Sequence, residues 1–258
     1  MGRIRRGVRR IIMDKNSLFI AGTDTGVGKS IVTGLLGRYF VEKGFSTVTQ
    51  KWIQTGNVSR DFACDVNTHF AIMGKRKTDF IKHKPYISPY LFKTPSSPHL
   101  AASLEGKTIS SKKIISSFKL LNKEFDIVLV EGSGGVLVPF NQRRTILDIV
   151  EELHLPVLLV AANRLGAINH TLLTIEALKS RKINITGIIF NNFKDTDKKI
   201  IIDNVRIVRK LSDVDILGSL PWDASYDRLY HKFIPIAEKV FRKMDSLLPR
   251  RMRWLSRE

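Results

Sequence analysis

Six short apolar runs, at 17–21, 47–51, 126–130, 156–161, 185–190 and 215–218, recur along the chain, each bounded by turn-forming or polar residues. Their hydrophobicity is nearly continuous rather than alternating, which predicts strands buried on both faces, as in a parallel sheet. Helical periodicity fills the gaps. After a glycine-rich stretch, Ile31, Leu35 and Tyr39 repeat at spacing four beside Val32, Leu36 and Phe40, and Gly44 supplies a stop. Leu172, Ile175 and Leu178 mark another amphipathic helix, with two charged residues after Ser180. Strand and helix in alternation predict an α/β fold, a doubly wound, mostly parallel sheet with helices on both faces. Ligands of such a sheet bind at the carboxyl ends of the strands, so functional residues are expected just after each run. The stretch 53–90 has weak periodicity and many polar residues, and is expected to be a long excursion near the site with partial helix.

The bulk numbers narrow the class. With 258 residues, 43% of them hydrophobic, the chain is long enough for one large domain with a buried core. One cysteine, Cys64, excludes an intramolecular disulfide and a cysteine-based zinc cluster, and suits a reducing, cytoplasmic compartment. The apolar run 155–162 is about half of the roughly 20 residues that span a bilayer, so no membrane helix is expected. The basic N-terminus lacks the apolar stretch of a signal peptide, and Met13 offers an alternative start just before the first strand. The net charge of +19 raises nucleic acid or an anionic membrane as partner. Arg3, Arg5, Arg6, Arg9 and Arg10 crowd one end, however, and Arg250, Arg251, Arg253 and Arg257 the other. No basic patch interleaved with aromatics appears between them, so neither partner is expected.

The chemistry concentrates at three strand ends. Residues 22–30 read G-T-D-T-G-V-G-K-S, directly after the first strand and before the first helix. That is the setting of a phosphate-binding loop, although the regular G-x-x-x-x-G-K-[ST] spacing would put its first glycine at Thr23. Backbone N–H groups of Gly26, Val27 and Gly28 would converge on phosphate oxygens at the positive end of the helix. Lys29 would then reach the β- and γ-phosphates, and Ser30 would offer its hydroxyl to Mg²⁺. Glu131 ends a hydrophobic strand in V-L-V-E-G-S-G-G and reads as an acidic ligand of that cation; a strand-end surface glutamate is the plainer alternative. Asp65, or else Asp61, would add a carboxylate from the excursion, although either reads equally well as a helix cap. Lys51 ends the second strand and faces the same sheet edge, either to neutralise charge on a transferred phosphoryl group or as a solvated lysine. No Ser-His-Asp or Cys-His arrangement emerges, the six histidines lack metal-ligand spacing, and His99 and His170 read as structural.

Taken in order, G-T-D-T-G-V-G-K-S, K-W-I-Q-T-G, S-S-P-H-L-A-A-S-L-E-G, V-L-V-E-G-S-G-G and L-G-A-I-N-H-T-L-L-T resemble the dethiobiotin synthetase family of P-loop ATPases, from about residue 17 to 222. The expanded loop, with Gly22 six positions before Gly28, is itself a habit of that family. The resemblance implies a Mg²⁺-dependent ligase that converts 7,8-diaminopelargonate, CO₂ (or bicarbonate) and ATP to dethiobiotin, ADP and phosphate through a carbamate and a carbamic-phosphoric anhydride. It implies nucleotide contacts from Asp24, Thr25, Gly26, Val27, Gly28, Lys29, Ser30, Glu131, Asn191 and Pro221. Substrate contacts would come from Thr25, Lys51, Thr55, Gly134 and Asn169, and metal ligands would be Ser30, Asp65 and Glu131. Lys51, Lys29 and Thr25 would carry the catalysis. It further implies a homodimer in which Asn169 and the 165–169 loop enter the partner's site.

Two departures stand out: Trp52 follows Lys51 where proline is common, and no clear aromatic equivalent closes the pocket for the substrate carboxylate. On this reading the chain divides into a basic extension at 1–13, one ATPase domain at 14–245 and a basic tail at 246–258. The rivals are an amidating ligase of the same superfamily and a partitioning-type ATPase that binds DNA or membrane. The first usually carries a nucleophilic cysteine, for which Cys64 lacks the setting; the second carries K-G-G-V-G-K-[ST], and here Asp24 occupies the position of its first lysine.

Overall fold

A computed structural model of the chain describes residues 17–58 and 62–247. All six predicted strands are present as β1 (Ser17–Gly22), β2 (Thr47–Lys51), β5 (Ile127–Gly135), β6 (Val157–Asn163), β7 (Ile185–Asn192) and β8 (Ile216–Leu220). They form one parallel sheet in the order β2-β5-β1-β6-β7-β8. Two further strands, β3 (Ile53–Gln54) and β4 (Tyr90–Leu91), pair with each other in parallel beside it.

The continuous hydrophobicity of the runs has a direct cause. Successive strand residues point to opposite faces, and both faces are covered. Leu18, Ile20, Leu129, Leu158 and Val160 pack on one side with Leu35, Leu36 and Phe40 of α1 (Lys29–Glu42) and Phe233 and Val240 of α9 (Tyr226–Leu247). Phe19, Ala21, Val128, Val130, Leu159 and Phe190 pack on the other. That side is covered by Phe118 and Leu121 of α5 (Ser111–Glu124), Ile149 and Val150 of α6 (Ile146–Glu152), Ile175 and Leu178 of α7 (Ala167–Ser180), and Val208 of α8 (Lys198–Leu211). The helix predicted after the glycine loop is α1, with Val32, Leu35, Leu36, Tyr39 and Phe40 buried and Gly44 at φ 88 just beyond its end.

The excursion at 53–90 is more ordered than its polarity implies. It holds α2 (Cys64–Met73), a 3-10 turn (Lys77–His83) and α3 (Lys84–Ile87); the short α4 (Pro98–Leu104) follows β4. Val66 and Phe70 of α2 belong to one core cluster and Ile72 to the other, with Leu35 and Leu36 of α1, so the helix is buried on more than one side. A helix buried in that way loses the polar face on which periodicity depends. Among the described residues, no helix is long and apolar enough to cross a membrane. The expected basic extension at 1–13 lies outside the described residues, as does the tail from 248 onward.

Candidate active site

Strand register builds the site. In the parallel pair β2–β5, Lys51 stands opposite Glu131, and Glu131 in turn stands opposite Ile20 of β1, two residues before the glycine loop. The three strand ends therefore share one edge of the sheet. There they open a cleft of about 890 Å³, lined by loop residues Thr25, Gly26, Gly28, Lys29 and Ser30 together with Lys51, Thr55, Asp65, Glu131 and Gly134.

The loop owes its shape to its glycines. Gly28 precedes α1 at φ 101, a left-handed conformation costly to other residues, and a Cβ there would lie 2.3 Å from Nδ2 of Asn191. Gly22 allows Lys29 to fold back, since a Cβ there would lie 2.7 Å from its Nζ. Lys29 Nζ donates to the carbonyls of Asp24, at 2.8 Å, and Gly134, at 3.0 Å, tying the loop to the end of β5. Gly134 also borders Thr25: a Cβ at 134 would lie 3.5 Å from Thr25 Oγ1. Asp24 accepts the backbone N–H of Thr25 at 2.7 Å, while Val27 is buried in the core beneath the loop.

Lys51 is the hub of the charge network. Its Nζ, 3% exposed as a residue, lies 2.6 Å from Asp65 Oδ2 and 2.8 Å from Glu131 Oε1, and donates to the carbonyl of Gly132 at 2.8 Å. Burial by itself would lower the Lys51 pKa, but the carboxylates of Glu131 and Asp65 outweigh it and hold the ammonium above its ordinary value. Glu131 is 1% exposed; burial disfavours its charge, yet Lys51 and His69 reverse that and keep it well below the carboxylate range. Burial, reinforced by the nearby positive charge of Lys51, lowers Lys29 to about 8. Two lysines and two carboxylates thus line one cleft.

Ser30 Oγ donates to Glu131 Oε1 at 3.1 Å, so Ser30, Asp65 and Glu131 come together around Lys51 as the sequence predicts. Among the described residues, no group of three or more His, Cys, Asp or Glu side chains is arranged to hold a metal ion. The donor set is instead one hydroxyl and two carboxylates, all oxygen. That chemistry fits Mg²⁺, which takes one or two carboxylates and completes its shell with substrate phosphates and water. Asp61, the other candidate carboxylate, lies outside the described residues.

Three predicted residues stand apart from the cleft. Asn191, at the end of β7, donates from Nδ2 to the carbonyl of Val27 at 3.0 Å and so braces the loop from behind. Pro221 follows β8, next to the half-exposed Trp222, whose ring lies under Lys194 Nζ at 5.3 Å. Asn169 is exposed in the first turn of α7. Other residues line the cleft without having been singled out from sequence: Gln54, Thr68, Ser96, Ser97, Ser133 and Tyr226. Tyr226, from the first turn of α9, is an aromatic at the cleft that no motif pointed to. His69 was also missed. Its Nε2 lies 2.6 Å from Glu131 Oε2 and the side chain is wholly buried, which in sequence is indistinguishable from a core histidine.

Comparison with known proteins agrees with this geometry. A family model described as an AAA domain matches residues 16–228. The ATP-dependent dethiobiotin synthetase BioD 2 of Pasteurella multocida is 42% identical over 192 residues, covering 74% of this chain and 89% of that protein. The ATP-dependent dethiobiotin synthetase BioD of Halalkalibacterium halodurans is 40% identical over 211 residues, covering 80% and 84%. Among solved structures, a chain of the MinC:MinD cell division protein complex from Aquifex aeolicus superposes with a TM-score of 0.54 at 14% identity, covering 91% of this chain and 98% of that one. That likeness shows a shared α/β fold and nothing finer. The motifs at the strand ends, the cleft they build and relatives at this identity over most of their length agree, and the chain belongs to the dethiobiotin synthetase family.

Proposed function

We propose that the protein is an ATP-dependent ligase that joins CO₂ to 7,8-diaminopelargonate and closes the ring to dethiobiotin, releasing ADP and phosphate. The observation that carries this reading is Lys51. A fully buried ammonium held by two carboxylates lies in the same cleft as the phosphate loop, a cleft that Thr25, Thr55 and Gly134 also line.

One amine of the substrate attacks CO₂ and loses a proton, giving a carbamate. A carbamate oxygen attacks the γ-phosphorus, ADP leaves, and the product is a carbamic-phosphoric anhydride. The second amine then attacks the carbamoyl carbon, expels phosphate and closes the five-membered urea. Such a sequence asks the protein mainly for positioning and charge neutralisation. Lys29 and the loop N–H groups hold the phosphates, with Asp24, Val27 and Gly28 shaping the loop and Asn191 and Pro221 flanking the base. Lys51 neutralises charge on the γ-phosphoryl group and the carbamate in a desolvated setting, where a fixed cation acts most strongly. Thr25, Thr55 and Gly134 orient the diamine. Ser30, Asp65 and Glu131 would hold Mg²⁺, which when bound supplies charge neutralisation to the phosphates.

The reading includes a homodimer, with Asn169 reaching a partner's site. Its support is that Asn169 lies outside the cleft of its own chain, on a helix start where Leu165 is 86% and Leu173 60% exposed. Light scattering of the purified protein tests this part. For the reaction, ADP is expected only when diamine, bicarbonate and Mg²⁺ are all present. ATP turnover indifferent to the diamine but raised by DNA or lipid vesicles would overturn the proposal in favour of a partitioning-type ATPase.

A further inference from the structure

We propose that His69 is a positioning residue that holds the plane of the Glu131 carboxylate, so that one of its equivalent oxygens is kept toward Ser30 and Lys51 at the cleft. The inference rests on the reading of Glu131 as a metal carboxylate. α2 carries Asp65 and His69 at i and i+4, which places them one above the other on the same helix face. Asp65 meets Lys51, and one turn deeper His69 meets Glu131. A single helix thus contacts both members of the central ion pair.

The two oxygens of Glu131 have different partners. Oε2 faces His69 Nε2 at 2.6 Å. Oε1 faces Lys51 Nζ at 2.8 Å and Ser30 Oγ at 3.1 Å. An ionised carboxylate only accepts hydrogen bonds, so it is Nε2 that carries the proton and donates. The terminal torsion of a glutamate is broad and intrinsically undemanding. The two oxygens are equivalent, so a half-turn restores the same arrangement; the side chain itself does little to oppose the intermediate rotations, which would take an oxygen away from Ser30 and Lys51. The His69 bond opposes them: turning the carboxylate plane away from Nε2 would strip a buried oxygen of its donor. His69 does not line the cleft and touches no substrate position, so its influence passes through Glu131 alone.

Three substitutions separate the hydrogen bond from the packing. His69→Gln keeps an amide N–H at about the reach of Nε2, His69→Asn keeps the same group but too short, and His69→Leu fills the space with no donor. The readout is Mn²⁺ affinity in the presence of ADP, titrated by electron paramagnetic resonance, alongside the Mg²⁺ activation curve and the diamine KM. The Leu and Asn variants are expected to lose roughly ten- to a hundredfold in Mn²⁺ affinity, the range for loss of an outer partner of a metal ligand. The Gln variant should stay near the parent, and the diamine KM should change little in any of the three. Parent-like Mn²⁺ binding by the Asn variant, or a Gln variant as weak as Asn, would overturn the role of His69 while leaving the function standing. Should the Leu variant not fold, the Gln–Asn pair decides alone. Failure of the parent itself to bind Mn²⁺ with ADP would instead remove Glu131 from the metal site, and the inference with it.

Discussion

Replacing Lys51 by methionine tests the centre of the site, because the change keeps most of the side-chain volume and removes only the charge. At 2.8 Å from Glu131 Oε1, the attraction between unit charges is about 6 kcal/mol at an effective dielectric near 20. Part of that is returned, since the buried ammonium no longer has to be desolvated. Glu131 then remains charged and buried with His69 and Ser30 as its remaining partners, and removal of one member of a buried pair costs about 3–5 kcal/mol. Asp65, more open to solvent, contributes less. Taking about 3 kcal/mol, the thermal midpoint should drop by about 6–12 °C for a chain of this size. The sign of the pH dependence follows from Glu131. In the parent it is held below its ordinary range and stays ionised from pH 8 to pH 5. Without Lys51 its pKa rises, so the deficit is full at pH 8 and narrows as pH falls toward the new value and the carboxyl takes up a proton. Calorimetry without nucleotide, at pH 8 and pH 5, reads both effects. Turnover should fall by about two to three orders of magnitude while ATP affinity changes far less. A variant that melts with the parent at pH 8, or whose deficit is the same at both pH values, would refute the account of Lys51 and Glu131 as a coupled buried pair.

Other predictions reach different parts of the cleft. Gly28→Ala should abolish measurable ATP binding by calorimetry, because its Cβ would collide with Asn191 Nδ2. Adding Asn191→Ala should relieve the collision but leave the left-handed backbone penalty of about 1–2 kcal/mol, so full recovery in the double variant would be contrary evidence. With free Lys29 titrating at about 8 and its ammonium favoured by bound phosphates, ATP affinity should be flat below pH 7 and fall above pH 8, where binding must take up a proton. Calorimetry at pH 9 in buffers of different ionisation enthalpy should reveal that uptake, and its absence would remove Lys29 as the titrating group. Chelation of divalent cations should stop ADP release completely and added Mg²⁺ restore it; turnover that persists in excess chelator would contradict the assignment of Ser30, Asp65 and Glu131.

The parts of the fold legible in sequence are those governed by local pattern. Strands covered on both faces read as unbroken apolar runs, so β1, β2, β5, β6, β7 and β8 were recognisable to within a residue or two at most ends. Lys51 and Glu131 were legible for a related reason: a charge that terminates such a run has only the sheet edge to occupy. Asp65 and His69 were legible only in part, or not at all. A residue at the start of a helix reads as a cap, and a histidine in Asn67-Thr68-His69-Phe70-Ala71 reads as core. What brings them to Lys51 and Glu131 is that α2 packs against α1 and β2, a tertiary fact absent from spacing. Asn191 was expected to face the base, and its bond to Val27 adds a loop-bracing role that depends on β7 lying near β1 across β6. The α9 helix was obscured by Pro235, which breaks the local signal without ending a helix stabilised by Phe233, Ala237 and Val240 in the core.

Fold and charge, taken alone, would favour the wrong class of partner. A doubly wound ATPase with a net charge of +19 resembles the partitioning proteins that work on DNA or membranes, and the P-loop fold is shared with them. The discriminating observation is at position 24. Where the partitioning pattern has a lysine, this chain has Asp24, whose side chain folds onto the N–H of Thr25 and whose carbonyl receives Lys29. A carboxylate there adds negative charge at the mouth of the loop, where a cation would assist phosphate hydrolysis without an acceptor. A second cation, Lys51, lines the same cleft as the loop, held by Asp65 and Glu131. On the proposed function, Lys51 would neutralise charge where the acceptor meets the γ-phosphate. A cation fixed by Asp65 and Glu131 rather than by the loop is the physical reason the proposed reading expects an acceptor other than water.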